Sequence, residues 1–152
     1  MTAISALENI HKRGLFGDHQ GKNENELISV SEVKHLQIIQ IVHYKKSTLQ
    51  IALLNLDNLK FPEATMLVNS NKDTRILWSG PSNWLLVSTK KDILSSVQKI
   101  CDDKNFAVTD LSHSRAIIEL KGSNSKEVLK KGCPINLNEF KVNNCANTEP
   151  IE

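Results

Sequence analysis

At 152 residues, with 19 Lys and Arg against 17 Asp and Glu, the chain carries a net charge of +2, too weak an asymmetry for a nucleic-acid or anionic-membrane surface. Aromatic residues make up 5% of it, which argues against a base-stacking surface, and no apolar run approaches the roughly 20 residues of a membrane span. A chain of this length buries about two thirds of its unfolded surface and needs no disulfide or metal to stay folded.

Residues 1–12 lack a basic flank followed by an apolar block, so no signal peptide is expected. Cys101, Cys133 and Cys145 are odd in number and far apart. They read as ordinary thiols of a reducing, cytoplasmic compartment, not as a disulfide framework or zinc site. Residues 1–27 form an expected N-terminal arm, punctuated by Gly14, Gly17 and Gly21, with one helical turn near residues 4–10. An irregular arm of this length is disordered or held by a partner. A single α+β domain is expected over residues 28–152.

Ile28 and Val30 alternate with serines as in a short strand, and Leu36, Ile38, Ile39, Ile41 and Val42 make a β-branched run that suits a buried one. Ser47 is placed to cap a helix over residues 47–56, where Leu49, Ala52, Leu53 and Leu56 recur at helical spacing, and Pro62 marks its exit. Residues 69–73 are a turn, residues 75–78 and 84–87 are strands, and Gly80-Pro81-Ser82-Asn83 joins these strands as a hairpin. Thr89 with Asp92 resembles a capping box for a helix whose apolar face is Ile93, Leu94, Val97, Ile100 and Cys101. Strands follow at residues 106–111 and 116–120. A last short helix opens at Asn124 with Glu127, with Gly132 expected in a left-handed C-terminal position and Pro134 beyond it. This order describes an α+β fold: a ferredoxin-like split βαβ unit, with helices on one face of an antiparallel sheet, followed by the start of a second unit.

Several motifs in series carry a resemblance. Ala107-Val108-Thr109-Asp110-Leu111-Ser112-His113, Arg115, Lys131-Gly132-Cys133-Pro134-Ile135 and Cys145-Ala146-Asn147-Thr148 resemble the sarcosine oxidase gamma subunit family. The stretch from Asp73 to Trp78, with Gly80-Pro81 and Trp84-Leu85-Leu86-Val87, fits the same family, and Ser29 to Val33 fits more loosely, so the likeness covers residues 29–148. A looser form of the pattern (Asp110, Ser112, residues 117–120, Gly122 and Leu129) is similar to the folate-binding aminomethyltransferase fold. The resemblance implies a non-catalytic gamma subunit, assembled with alpha, beta and delta subunits into a cytoplasmic heterotetramer. That enzyme oxidatively demethylates sarcosine to glycine and delivers the one-carbon unit to tetrahydrofolate. FAD, FMN, NAD and the folate site are implied on the larger subunits and zinc on delta, with no cofactor on this chain. Family members continue past the Cys-x-x-Thr motif, so the chain reads as C-terminally short.

Asp110, Ser112 and His113 invite a triad reading, but on a strand His113 faces away from the other two, and triad members converge from separate elements. A local role fits better: Asp110 and Ser112 accepting backbone N–H groups where one strand gives way to the next, and Arg115 pairing with Asp110 or with a partner's carboxylate. Of the two tryptophans beside the Gly80-Pro81 turn, Trp84 is assigned to the core and Trp78 to an interface, where tryptophan is enriched. Asp73 and Arg75 are expected to form a surface pair. His11, His19, His35, His43 and His113 match no metal-ligand spacing, and the N-terminal glycines match no phosphate cradle. The alternative is a free-standing folate-binding or one-carbon transfer domain. RNA binding by a ferredoxin-like sheet fails for want of the aromatic and basic strand motif.

Overall fold

The β-branched run around Ile39 becomes the spine of a five-stranded antiparallel sheet. The computed structural model describes residues 7–10, 19–23 and 26–147. They divide into two compact units: His35–Arg115 with Lys141–Asn147, and the described residues up to Lys34 with Ala116–Phe140.

The larger unit holds β2 (Gln37–His43), β3 (Asn55–Leu56), β4 (Leu59–Lys60), β5 (Val68–Ser70), β6 (Thr74–Gly80), β7 (Asn83–Ser88), α1 (Ile93–Ile100) and β8 (Phe106–Asp110); β1 (Ser29–Val33) belongs to the smaller one. The sheet order is β5-β6-β7-β2-β8. The long strand β2 thus lies between β7 and β8, with β6 outside β7, which is the crossover of a split βαβ unit. The registers place Ile76, Leu86 and Ile39 side by side on one face, and all three are fully buried. Ile93 and Val97 of α1, with Cys101, Phe106, Leu56 and Phe61, complete that core. Burying each such side chain contributes about 1.5–3 kcal/mol, whereas an eight-residue helix is marginal alone. Packing, not propensity, therefore holds α1.

The α+β reading holds, but its first helix does not form. Residues 47–56 instead give a single 3-10 turn at Ile51–Leu53 and then a hairpin, β3–β4. Asp57 (φ 52°) and Asn58 (φ 62°) make its two-residue turn in the left-handed region that Asp and Asn tolerate best. Leu56 is fully buried while Leu53 is 77% exposed, so the apparent helical stripe never faces one way. Thr89 does not cap α1: Asp92 is the N-cap, without a side-chain bond, and the Thr89 hydroxyl turns to Asp73. Gly132 is not left-handed; among the described glycines Gly21 and Gly122 are.

In the smaller unit β1 pairs antiparallel with β9 (Ile117–Lys121), in the register Val30 with Leu120 and Glu32 with Ile118. Gly122 sits at φ +133°, and a Cβ there would lie 2.5 Å from the Leu27 carbonyl oxygen, so only glycine fits. The short helix α2 (Ser125–Lys130) follows from its N-cap Asn124. The expected turn near residues 4–10 is described only at 7–10, where the Ile10 N–H donates to the Leu7 carbonyl. Gly14, Gly17, His11 and Thr148 lie outside the described residues. Among the described residues no helix is long and apolar enough to cross a membrane.

Candidate functional site

Strands β6 and β7 pair residue by residue as far as Trp78 opposite Trp84, and there the register shifts. Ser79 is the extra residue of this bulge; such insertions bend a strand and re-aim its side chains. Gly80 then faces Asn83, and the Pro81-Ser82 turn closes the hairpin with Ser82 at φ 56°. The Ser82 carbonyl accepts the His43 N–H at 2.8 Å, tying the turn to β2.

The two tryptophans take different places. Trp84 is 4% exposed; its indole N–H donates to the Pro62 carbonyl at 2.8 Å, and the Phe61 ring meets it edge-on at 5.1 Å. Trp78 is half-buried and forms a wall of a cleft of about 410 Å³. The 3-10 turn supplies residues 50–52 to that cleft, the chain after β4 supplies Pro62 and Glu63, and the hairpin tip supplies Pro81 and Ser82.

A strap, residues 141–147, fastens the same end of the sheet. Asn143 and Cys145 exchange backbone bonds with Val68 and Met66 beside the edge strand β5. The Cys145 thiol donates to the Trp78 carbonyl at 3.3 Å, and the Asn147 amide donates to the Ser79 carbonyl at 2.9 Å. The motifs at residues 73–81 and 145–147, 64 or more positions apart, therefore meet at the bulge. Burial raises the Cys145 thiol above its ordinary pKa and pushes Cys101 up to about 12, so neither is a thiolate nucleophile at neutral pH.

Asp110 is the last residue of β8, and Ser112 and His113 follow it. The Ser112 hydroxyl donates directly to the Asp110 carboxylate, with no imidazole between them, and accepts the Ile38 N–H at 3.0 Å. The bond from the Ser112 hydroxyl, followed by the one from the Ser112 N–H at 2.9 Å, holds the Asp110 carboxyl below the usual carboxylate range. The pair anchors the chain to β2, and His113 stays exposed. Arg115 and Arg75 are also exposed. Among the described residues the ion pairs are Glu32–Lys34, Asp57–Lys90, Glu119–Lys121 and Glu127–Lys130, so neither Asp110–Arg115 nor Asp73–Arg75 forms one. Asp73 instead accepts from Thr89.

A cluster that spacing did not reveal centres on Asp57 in the β3–β4 turn. Its carboxylate accepts from the Lys90 ammonium, the Thr74 hydroxyl and the Asn71 amide. Fully buried Thr74 lies 2.9 Å from the hydroxyl of nearly buried Ser88. The Lys90 bond, then the Thr74 bond, keeps the Asp57 carboxyl below its ordinary pKa, and the same pairing raises Lys90. The Asp57-Asn58 dipeptide was the available signal, as a pair that favours a tight hairpin turn. This cluster locks the hairpin to the sheet. Among the described residues no three His, Cys, Asp or Glu side chains gather as a metal site. Among Asp110, Ser112 and His113 the serine is bonded to the carboxylate and not to the imidazole.

Residues 46–146 match the sarcosine oxidase, gamma subunit family. The sarcosine oxidase subunit gamma of Corynebacterium sp. (strain U-96) is 35% identical over 78 residues, covering 49% of this chain and 38% of that protein. Its counterpart in strain P-1 is 30% identical over 73 residues, covering 47% and 36%. In the solved heterotetrameric sarcosine oxidase from Corynebacterium sp. U-96, in complex with pyrrole 2-carboxylate, one chain superposes with a TM-score of 0.71 at 28% identity, covering 80% of this chain and 65% of that one. The likeness spans less than two thirds of the length of each relative.

Proposed function

This chain belongs to the sarcosine oxidase gamma subunit family, and from that premise we propose that it is a non-catalytic assembly subunit of a heterotetrameric sarcosine oxidase. One observation carries the reading. Across the matched segment the polar side chains that resemble a reactive set are committed to the fold, Ser112 and Asp110 to each other and to β2, and Asp57 to Thr74 and Lys90. What remains open is surface: the Trp78 cleft, and exposed Arg75, His113 and Arg115.

Its partners are the alpha, beta and delta subunits, and the assembled enzyme demethylates sarcosine to glycine and passes the one-carbon unit to tetrahydrofolate. FAD, FMN, NAD and tetrahydrofolate belong to the larger subunits and zinc to delta. The assembly is cytoplasmic, in keeping with three free cysteines.

Co-expression with the neighbouring subunits, followed by native mass spectrometry, tests this. A complex containing this chain is expected, and its absence overturns the proposal. Sarcosine turnover or tight flavin uptake by the purified single chain would overturn it equally. Tight tetrahydrofolate binding by the chain alone would make it a free-standing folate-binding domain instead.

A further inference from the structure

The lining of the Trp78 cleft specifies the charge of what fills it. Among the described residues that line it Glu63 is the one acidic side chain and none is Lys, Arg or His, in a chain where Lys and Arg outnumber Asp and Glu by 19 to 17. Glu63 is exposed, and Trp78 in the same lining is half-buried. Gln50 and Ser82 add neutral oxygen acceptors. An anion entering here meets a carboxylate, and an aliphatic side chain leaves these acceptors unused.

We infer that the cleft takes one arginine side chain from a partner subunit, its guanidinium lying against the Trp78 indole and donating to the Glu63 carboxylate, an assignment that rests on the assembly role proposed above. A planar guanidinium both stacks on an indole and spreads five N–H donors over several acceptors. A lysine ammonium, compact and strongly hydrated, forfeits the stacking. Two backbone stretches of the wall are held by bonds within the chain. The Trp84 indole holds the carbonyl of Pro62, next to Glu63, at 2.8 Å, and the strap holds the Trp78 carbonyl at 3.3 Å. A preorganised site loses little by ordering on association.

The test compares wild type with Glu63→Gln, Trp78→Phe and Trp78→Ala, each titrated against the co-purified partner subunits. Glu63→Gln and Trp78→Ala are expected to weaken association roughly tenfold or more, and Trp78→Phe by less. Part of the salt dependence of association is expected to vanish in Glu63→Gln and to persist in Trp78→Ala. With the isolated chain, N-acetylarginine amide should shift tryptophan emission, and N-acetylcitrulline amide, which lacks the charge, should not. Wild-type-like association by Glu63→Gln and Trp78→Phe, with unchanged urea midpoints, overturns the arginine assignment and leaves the assembly role standing. No complex with wild type overturns the assembly role, and this assignment with it.

Discussion

Asp57 shows what one side chain decides. Its carboxylate is the shared acceptor of a lysine from one stretch of chain and of a buried threonine and an asparagine from another. Asp57→Asn removes the charge and leaves the Thr74 hydroxyl with a poorer partner, so a loss of about 1–3 kcal/mol is expected in urea unfolding at pH 7. The folded carboxyl titrates below its ordinary value of 3.8. Its stabilisation is therefore full above that value and is lost as pH falls through the lower folded one. The gap between wild type and Asp57→Asn should stay constant from pH 7 to about 5 and close in stronger acid. Lys90, raised above 10.5, has the opposite sign: its share is complete at neutral pH and disappears as pH rises through the folded value. A gap that widened in acid would contradict this account.

Among elements, the β3–β4 hairpin and the β1–β9 ribbon each depend on a backbone conformation that few residues adopt. Asn58 is left-handed at φ 62°. Asn58→Val should cost about 1–2 kcal/mol, since a β-branched residue resists that region, while Asn58→Gly should be neutral or stabilising. Urea midpoints of the two variants moving together would argue against a turn-controlled hairpin. Gly122→Ala meets both a positive φ and the Leu27 carbonyl, so a loss of about 1–3 kcal/mol is expected. Hydrogen exchange should show it first in the amides of β1 and β9.

Which elements were legible follows from the range of the forces behind them. β2, β6, β7, α1 and β8 were readable because alternating or helically spaced apolar residues, such as Ile39 with Ile41 and Ile93 with Val97, meet their core through a local period. The hairpin at Gly80 was readable from its turn residues. The false helix at residues 47–56 had the right spacing, but Leu56 gained more by entering the sheet core than Leu49, Ala52 and Leu53 could by continuing a stripe. Of the candidate residues, the burial of Trp84 could be reasoned from the apolar run that follows it. The Asp57 cluster could not, because nothing local ties Asp57 to Lys90.

For the molecule as a whole, surface residues outside these networks are expected to matter in assembly and not in folding. Arg115 is exposed and outside the ion pairs of the described chain. Arg115→Ala should leave the urea midpoint of the isolated chain within about 0.5 kcal/mol of wild type. It should weaken capture of the chain by the partner subunits. A large stability loss with undiminished capture would assign Arg115 to the fold.

Residue order alone determined the class of fold and most of its strands, because burial patterns repeat within a few residues and can be seen along the chain. It also carried the family likeness, through motifs whose order and spacing are linear properties. Only the tertiary structure decided that β1 pairs with β9, that Cys145 and Asn147 clasp the bulge beside Trp78, and that Asp57 finds Lys90. Such partners are dozens of positions apart, and their meeting depends on which long loops close and which surfaces fit, quantities that no local period records.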